Sequence, residues 1–366
     1  MRVLHVHSGN LYGGVETLLF SLAKFGGFAP VIMMSAALTH EGKIAAQLRE
    51  YGIPVTILGH ARLSRPFSVR RARRALAALL ERDRPDVVVC HQPWPVALFG
   101  QVVRQHSIPL VLWLHMAASR HVVDRLAWRV QLDAVVCNSR FTASTIAMRE
   151  RRAPVHVVYA PVACETVKRD TQRTVDQVVI IQVSRMERWK GQAVCLEALG
   201  RLRRVPRWVC WQVGGAQRQE EARYLTSLRA AADRLDIADR VKFLGQRSDV
   251  AELLAAADIY CQPNIEPEPF GISLIEALAA GLPVVTSAAG GALEIVDENC
   301  GALVPAGDVA ALADALESLV SDPGRRRRLG ATGPARAKQL CDPAVQMPRI
   351  GEILHRVADS TVHQRA

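Results

Sequence analysis

Short runs rich in β-branched residues alternate with longer helical patterns along nearly the whole chain, and this alternation restricts the fold more than any other feature of the sequence. It specifies parallel α/β sheets. The first half carries strand candidates at Val3–Val6, Val31–Ser35, Val55–Leu58, Val87–Cys90, Leu110–Leu114, Ala134–Cys137 and Val155–Val158. After Pro161 a second series begins, at Val178–Val183, Trp208–Val213, Val241–Leu244, Ile259–Gln262, Val284–Thr286 and Ala302–Val304. Helical patterns fill the gaps, among them Val15–Phe25, Gly191–Leu202 and Ser248–Ala257. The polar, charged stretch from Glu165 to Asp176 separates the series and reads as an interdomain linker. The expected architecture is α/β: two tandem doubly wound Rossmann-like domains, residues 1–165 and 166–343. Ligands of such sheets bind outside the carboxyl ends of the strands, which makes a cleft between the domains the expected site.

With 366 residues, 49% hydrophobic and 22% charged, the chain has the balance of a globular protein with a large core, and two domains is the economical division. No stretch approaches the roughly 18 uncharged apolar residues of a membrane span. Met1 leads straight into a strand-like run, without a basic region followed by an apolar one. An unexported, cytoplasmic protein is therefore expected. The eight cysteines (Cys90, Cys137, Cys164, Cys195, Cys210, Cys261, Cys300 and Cys341) are scattered, with no Cys-x-x-Cys pair. Buried thiols fit that pattern better than a disulfide framework or a zinc site.

The run Glu268-Pro-Phe-Gly-Ile-Ser-Leu-Ile-Glu276 says most about chemistry. It puts one carboxylate on a loop and another inside the helix that the loop opens. Phe270 and Gly271 precede the helix, Gly271 permits close backbone approach, and the N–H groups of Ile272, Ser273 and Leu274 are expected to form an anion site. At ~1.5 Å rise per residue, Glu276 lies roughly 7 Å beyond that end, a spacing suited to a ribose diol beyond a phosphate. Glu268 then faces a sugar on the other side.

Arg185 and Lys190 follow the apolar run Val178–Val183 and suit a diphosphate, one as a planar fork and the other as a mobile point charge. By position alone they also read as surface charge. Gly13-Gly14 and Gly214-Gly215 read either as plain turns or as ligand loops, and so does Gly290-Gly291 before Glu294. His115 ends an apolar strand, where a lone histidine is ordinarily a rim residue. His91, with Gln92 and Trp94 beyond it, lines an acceptor side or packs. There is no His-x-x-x-His pair and no Asp-x-Asp loop, so the expected cofactor and metal sets are empty. Diphosphate charge would then fall to Arg185, Lys190 and helix dipoles.

The Glu-x7-Glu spacing resembles the signature of the family 4 glycosyltransferases, retaining enzymes of the GT-B fold. Further segments are similar to that family in the expected order: Arg2–Ser8 with Gly13-Gly14-Val15-Glu16, Asp86–His91, Val111–His115, Ala134–Ser139, Ser184–Gly191 and Gly290–Val296. Ser184 stands where the family generally has glycine. The resemblance implies that Gly13 and Gly14 lie beside the leaving phosphate and that His115 is placed against the donor sugar near the reacting carbon. It implies catalytic duty for Arg185, Lys190, Glu268 and His115. Donor binding falls to Gly13, Gly14, Phe270, Gly271, Ile272, Ser273, Leu274 and Glu276. It further implies that the segment 344–366 is a C-terminal helix packing back on the first domain. The implied reaction moves a sugar from a nucleoside-diphosphate donor, of UDP-sugar or GDP-mannose type, to an acceptor hydroxyl of a sugar, glycolipid or small molecule. Glycan, glycolipid or cell-envelope polysaccharide biosynthesis is the implied setting. A hydrolase using Glu268 and Glu276 leaves Arg185, Lys190 and the glycine loops without a role. A non-catalytic nucleotide-sugar-binding protein or membrane-surface scaffold of the same fold is the alternative from another class.

The net charge of +11 is unevenly shared: residues 1–165 carry 20 Lys and Arg against 10 Asp and Glu, and the remainder 26 against 25. Within Val69–Leu80, Arg70, Arg71, Arg73 and Arg74 share one helical face opposite Val69, Ala72, Leu76, Leu79 and Leu80. That face reads as solvated surface or as a docking face for an anionic membrane. With 5% aromatics and no basic run interleaved with stacking residues, nucleic acid is not an expected partner.

Overall fold

The computed structural model describes residues 1–62, 64–147, 152–163 and 177–363, with side chains to residue 360. The stretch Glu165–Asp176, read above as a linker, lies outside the described residues. The chain divides into two compact units, one of Met1–Pro161 with Pro343–Ala366 and one of Val162–Asp342.

The first unit is built on a parallel sheet of β1 (Arg2–His7), β2 (Met33–Leu38), β3 (Val55–Ile57), β4 (Val87–His91), β5 (Leu110–Leu114), β6 (Ala134–Cys137) and β7 (Val155–Val157). Its order is β3-β2-β1-β4-β5-β6-β7. The second unit carries β8 (Val178–Val183), β9 (Trp208–Val213), β10 (Val241–Gly245), β11 (Ile259–Gln262), β12 (Val284–Ser287) and β13 (Gly301–Val304), in the order β10-β9-β8-β11-β12-β13. Both are doubly wound Rossmann-like sheets. The central strands β4 and β5 are buried at every residue, as strands covered by helices on both faces must be. In each sheet the winding direction reverses at the first strand, between β1 and β4 and between β8 and β11, and this opens a crevice at the carboxyl ends.

One strand departs from the expected boundary. The apolar run Val31–Ser35 suggested an early start, yet Val31 and Met33 are 58% and 60% exposed, and the ladder with β1 runs from Met33 through Leu38. Ala36, Ala37 and Leu38 are 1%, 0% and 0% exposed. Alanine carries little strand propensity, so burial beside β1 and not local preference sets this strand.

Helix Pro66–Asp83 buries Val69, Ala72, Leu76, Leu79 and Leu80, a stripe whose leucines each contribute on the order of 2 kcal/mol. Proline opens it and Arg84, at φ 43°, closes it in the left-handed region. Arg70, Arg71, Arg73 and Arg74 are exposed, but Nε of Arg73 donates to the Leu98 carbonyl at 2.6 Å. Helix Pro343–His363 belongs to the first unit and buries Met347, Ile350, Ile353, Leu354 and Val357 along one stripe.

In the second unit Trp208 is fully buried and its indole N–H donates to the Leu202 carbonyl at 3.0 Å. Cys195, Cys210 and Cys261 share this core, where hydrogen bonding between neighbouring thiols, together with burial, holds Cys195 and Cys210 far above their usual range. All seven described cysteines are buried, and Cys164 lies outside the described residues. No described helix is long and apolar enough to cross a membrane.

Gly214 shows why a glycine pair ends β9. Its φ is +140°, and a Cβ there would stand 1.9 Å from the Ser184 carbonyl oxygen. The tips of the loops after β8 and β9 touch backbone to backbone at this point. Gly214→Ala should therefore cost more than about 2 kcal/mol in urea unfolding, through strain and a forced separation of the two loops. A change under about 0.5 kcal/mol would show that the loops part freely.

Candidate functional site

In the second unit, the loops leaving β8 and β11 meet at the reversal of winding. Lys190 ends a short turn after β8, and its ammonium lies 2.8 Å from Oε2 of Glu268, with the two side chains 15% and 8% exposed. The same carboxylate oxygen accepts from Nδ2 of Asn264 at 2.6 Å and Nε2 of Gln262 at 3.0 Å. Three donors on one oxygen fix the carboxylate, and Oε1 has no partner among the described residues. Gln262 is itself held: its Oε1 accepts from the Tyr260 hydroxyl at 2.9 Å and the Ser273 hydroxyl at 3.1 Å. Behind Glu268, Gly291 N–H donates to its carbonyl at 2.6 Å, and a Cβ on Gly290 would fall 2.3 Å from that oxygen. The Gly290-Gly291 pair thus clasps the Glu268 backbone.

Arg185 is not a bare cation. Its Nη2 lies 2.5 Å from Oε1 of Glu221 and 3.2 Å from Oε1 of Glu187, while its buried Nε has no partner among the described residues. Glu221 is 5% exposed and also accepts the Gln217 N–H at 2.6 Å. Neither Glu187 nor Glu221 stood out in the sequence. Gly191 carries a φ of +71° and packs so close that a Cβ would lie 1.8 Å from the Pro263 carbonyl oxygen, which draws the Lys190 loop onto the loop after β11.

Gly271, at φ +109°, starts helix Ile272–Ala279. Of the three N–H groups expected to be free, that of Leu274 donates to the Gly271 carbonyl at 3.0 Å. The first turn is tight, of the i to i+3 kind, and leaves the N–H groups of Ile272 and Ser273 without a partner among the described residues. Phe270 is 2% exposed and anchors the loop in the core. Glu276 is part-buried, and its carboxyl has no ion-pair or hydrogen-bond partner among the described residues. Burial raises its carboxyl to about 7.

In the first unit, Gly13 caps helix Gly14–Lys24. Glu16 bonds back to the Gly13 N–H at 3.0 Å, and its other oxygen meets Nε2 of His7 at 2.6 Å, so a buried carboxylate shapes the glycine turn. His115, 8% exposed, follows β5. Its Nε2 lies 2.9 Å from Nδ1 of His91, whose Nε2 lies 2.9 Å from Nδ1 of His5. His91 is fully buried between its two imidazole partners. Burial lowers the imidazoles of His5 to about 4 and of His115 to about 3, and that of His91 well below the usual histidine range. Among the described residues no group of acidic, histidine or cysteine side chains could hold a metal ion. His5, His7 and Glu16 were not singled out from sequence. The alternation His5-Val6-His7, which points two imidazoles to one side of a central strand, was the signal for the histidines.

The raised carboxyl of Glu276 makes a testable demand. The folded chain holds this proton up to about pH 7 and the unfolded chain only to about 4.3. Stability is therefore fully present below the lower value and lost as pH rises through the upper one. Glu276→Gln should leave urea stability unchanged near pH 4 and raise it by ~2 kcal/mol at pH 8, after discounting for partial solvent screening. Equal effects at both pH values would refute the assignment.

Comparison with known proteins extends these observations. A model described as "Glycosyltransferase Family 4" matches residues 12–166, and one described as "Glycosyl transferases group 1" matches residues 165–336. A phosphatidyl-myo-inositol mannosyltransferase of Mycobacterium leprae is 43% identical over 127 residues, which span 34% of each chain. A lipopolysaccharide core biosynthesis glycosyltransferase, LpsE of Rhizobium meliloti, is 26% identical over 91% of this chain and 93% of its own. Among solved structures, HepE of Anabaena in complex with UDP and glucose superposes with a TM-score of 0.84 at 25% identity, over 97% of this chain and 99% of that one. Between them the two family models take in both doubly wound units, and the chain belongs to the family 4 glycosyltransferases of GT-B fold.

Proposed function

We propose that the protein is a retaining glycosyltransferase that carries a sugar from a nucleoside-diphosphate donor, of UDP-sugar or GDP-mannose type, to an acceptor hydroxyl in glycolipid or cell-envelope polysaccharide synthesis. The observation that carries this reading is the Lys190–Glu268 ion pair, fixed at the reversal point of the second sheet. The functions of the relatives support the setting: one acts in lipopolysaccharide core biosynthesis and others are GDP-mannose-dependent mannosyltransferases.

The roles follow from what each side chain has left to give. An ammonium has three donors, and Lys190 commits one to Glu268, so it retains capacity for a diphosphate oxygen. With Arg185 and the unspent N–H groups of Ile272 and Ser273, it would stabilise charge growing on the leaving diphosphate. Oε1 of Glu268 would accept sugar hydroxyls and orient the anomeric centre. Glu276 would accept from the ribose diol, whose hydroxyls relieve the cost of a partnerless carboxyl. His115 would touch the donor sugar near the reacting carbon, and Gly13-Gly14 would border the leaving phosphate. On this scheme the diphosphate needs no divalent ion. A hydrolase built on Glu268 and Glu276 is disfavoured because it leaves Arg185, Lys190 and the glycine loops without a role.

Glu276→Ala should weaken donor binding about tenfold with kcat little changed, whereas Glu268→Ala should lower kcat about 100-fold with donor affinity nearly intact. Transfer from a panel of UDP- and GDP-sugars measures both. Equal losses of donor affinity alone would remove this division of labour, and activity abolished by EDTA and restored by Mg²⁺ would remove the metal-free scheme.

A second reading concerns the basic helix Pro66–Asp83. Phe67, Arg70, Arg71 and Arg74 follow one another at helical spacing, all exposed, with Phe67 85% exposed. A bulky apolar ring beside three cations suits docking on an anionic bilayer from the side of the acceptor lipid, each arginine contributing about 1 kcal/mol. The protein should co-sediment with phosphatidylglycerol vesicles at low salt, and Arg70→Gln, Arg71→Gln and Arg74→Gln together should abolish this without altering donor binding. Failure of the parent protein to sediment would end the membrane reading and leave the transferase assignment standing.

A further inference from the structure

Three neighbouring strands of the first sheet each contribute one imidazole to a continuous chain. His5 lies on β1, His91 ends β4 and His115 follows β5, with 2.9 Å between facing nitrogens at both junctions. The rings of His91 and His115 are stacked with centroids 5.1 Å apart, and Trp113 stacks on both at 5.6 and 5.8 Å. His5, His91 and His115 are 3%, 0% and 8% exposed, so the chain is held by packing.

A neutral imidazole has one donor and one acceptor nitrogen. Two successive nitrogen-to-nitrogen bonds therefore force all three rings into the same tautomer. Either each ring carries its proton on Nε2 and the bonds run from His115 through His91 to His5, or each carries it on Nδ1 and they run the other way. Burial keeps the three rings uncharged through the physiological range. The ionisable groups facing them are His7, whose ring meets His91 edge-on at 6.1 Å, and Glu16 behind it at 2.6 Å from His7. The Nε2–H form is the intrinsically preferred tautomer of a histidine side chain, and the chain applies that preference three times over.

We infer that His91 and His5 are positioning residues that lock His115 in its Nε2–H form, so that the remaining nitrogen, Nδ1, is a bare acceptor for a hydroxyl of the donor sugar. The assignment to a sugar hydroxyl rests on the functional reading above; the lock itself rests on the geometry of the three rings. His5 then acts on the substrate two rings away, through a tautomer and without contact.

The test is a long-range ¹H–¹⁵N correlation spectrum of the ¹⁵N-histidine-labelled unliganded protein. In the parent, His115 should show a protonated Nε2 and an unprotonated Nδ1, unchanged from pH 6 to 8. His91→Phe, which keeps the stack on Trp113, should give His115 a mixture of tautomers, lower kcat about tenfold and leave donor KM within twofold. His5→Phe should produce the mixture with a smaller loss of kcat. An Nδ1–H or mixed signal for His115 in the parent, or an unchanged tautomer in His91→Phe, overturns the proposal. If His91→Phe does not fold, the His115 tautomer in His5→Phe decides it in the same way. An inactive parent whose His115 tautomer shifts in these variants would refute the transferase reading and uphold the lock, whereas an active parent with the Nδ1–H signal does the reverse.

Discussion

In a parallel sheet covered on both faces, polar chemistry has nowhere to go but the ends of the strands, and everything functional in this chain follows from that constraint. β4 and β5 admit no solvent along their lengths. The reversal of winding beside β1 and beside β8 then leaves carboxyl-end loops diverging to opposite faces, with room between them. Lys190, Glu268 and the Gly271 turn occupy that position in the second unit. Gly13, His91 and His115 occupy it in the first. The two halves repeat one solution with different side chains, cationic and acidic in one and imidazole-rich in the other.

Placing charge at such an end is expensive unless each group is partnered, and the two cations solve this differently. Lys190 shares Glu268 with two amides, a neutral pair that stays rigid and still leaves donors uncommitted. Arg185 faces two carboxylates, Glu187 and Glu221, so its surroundings carry a net negative charge. An anionic ligand arriving there must compete with those carboxylates for the guanidinium. Glu276 is the opposite case: a carboxyl taken from water with no partner among the described residues, kept at a standing cost that a hydrogen-bonding ligand would relieve.

The fold was written plainly in the sequence because parallel strands are strong apolar runs, and most strand candidates reappear within a residue or two. β2 is the exception, since its buried part, Ala36 to Leu38, is selected by neighbours and not by residue preference. The donor-side motif was legible as spacing, but its electrostatics were not. No local pattern ties Glu221 to Arg185 across 36 positions, or His5 to His91 across 86. The tight first turn that spends the Leu274 N–H also depends on Gly271's left-handed backbone, which residue identities alone do not disclose. Long-range polar pairing is the part of a site that sequence conceals.

The clasp around Glu268 has an evolutionary meaning. Gly290 has no space for a side chain against the Glu268 carbonyl, Gly291 none against the Pro269 and Phe270 backbone, and Gly191 none against Pro263. Each piece can change only if another changes with it, so drift by single substitutions meets a fitness barrier at every step. Novelty in substrate choice must then arise where side chains are unencumbered, on loop tips and exposed helix faces. A lineage built on this scaffold would diversify its acceptors readily while inheriting its donor grip almost unaltered.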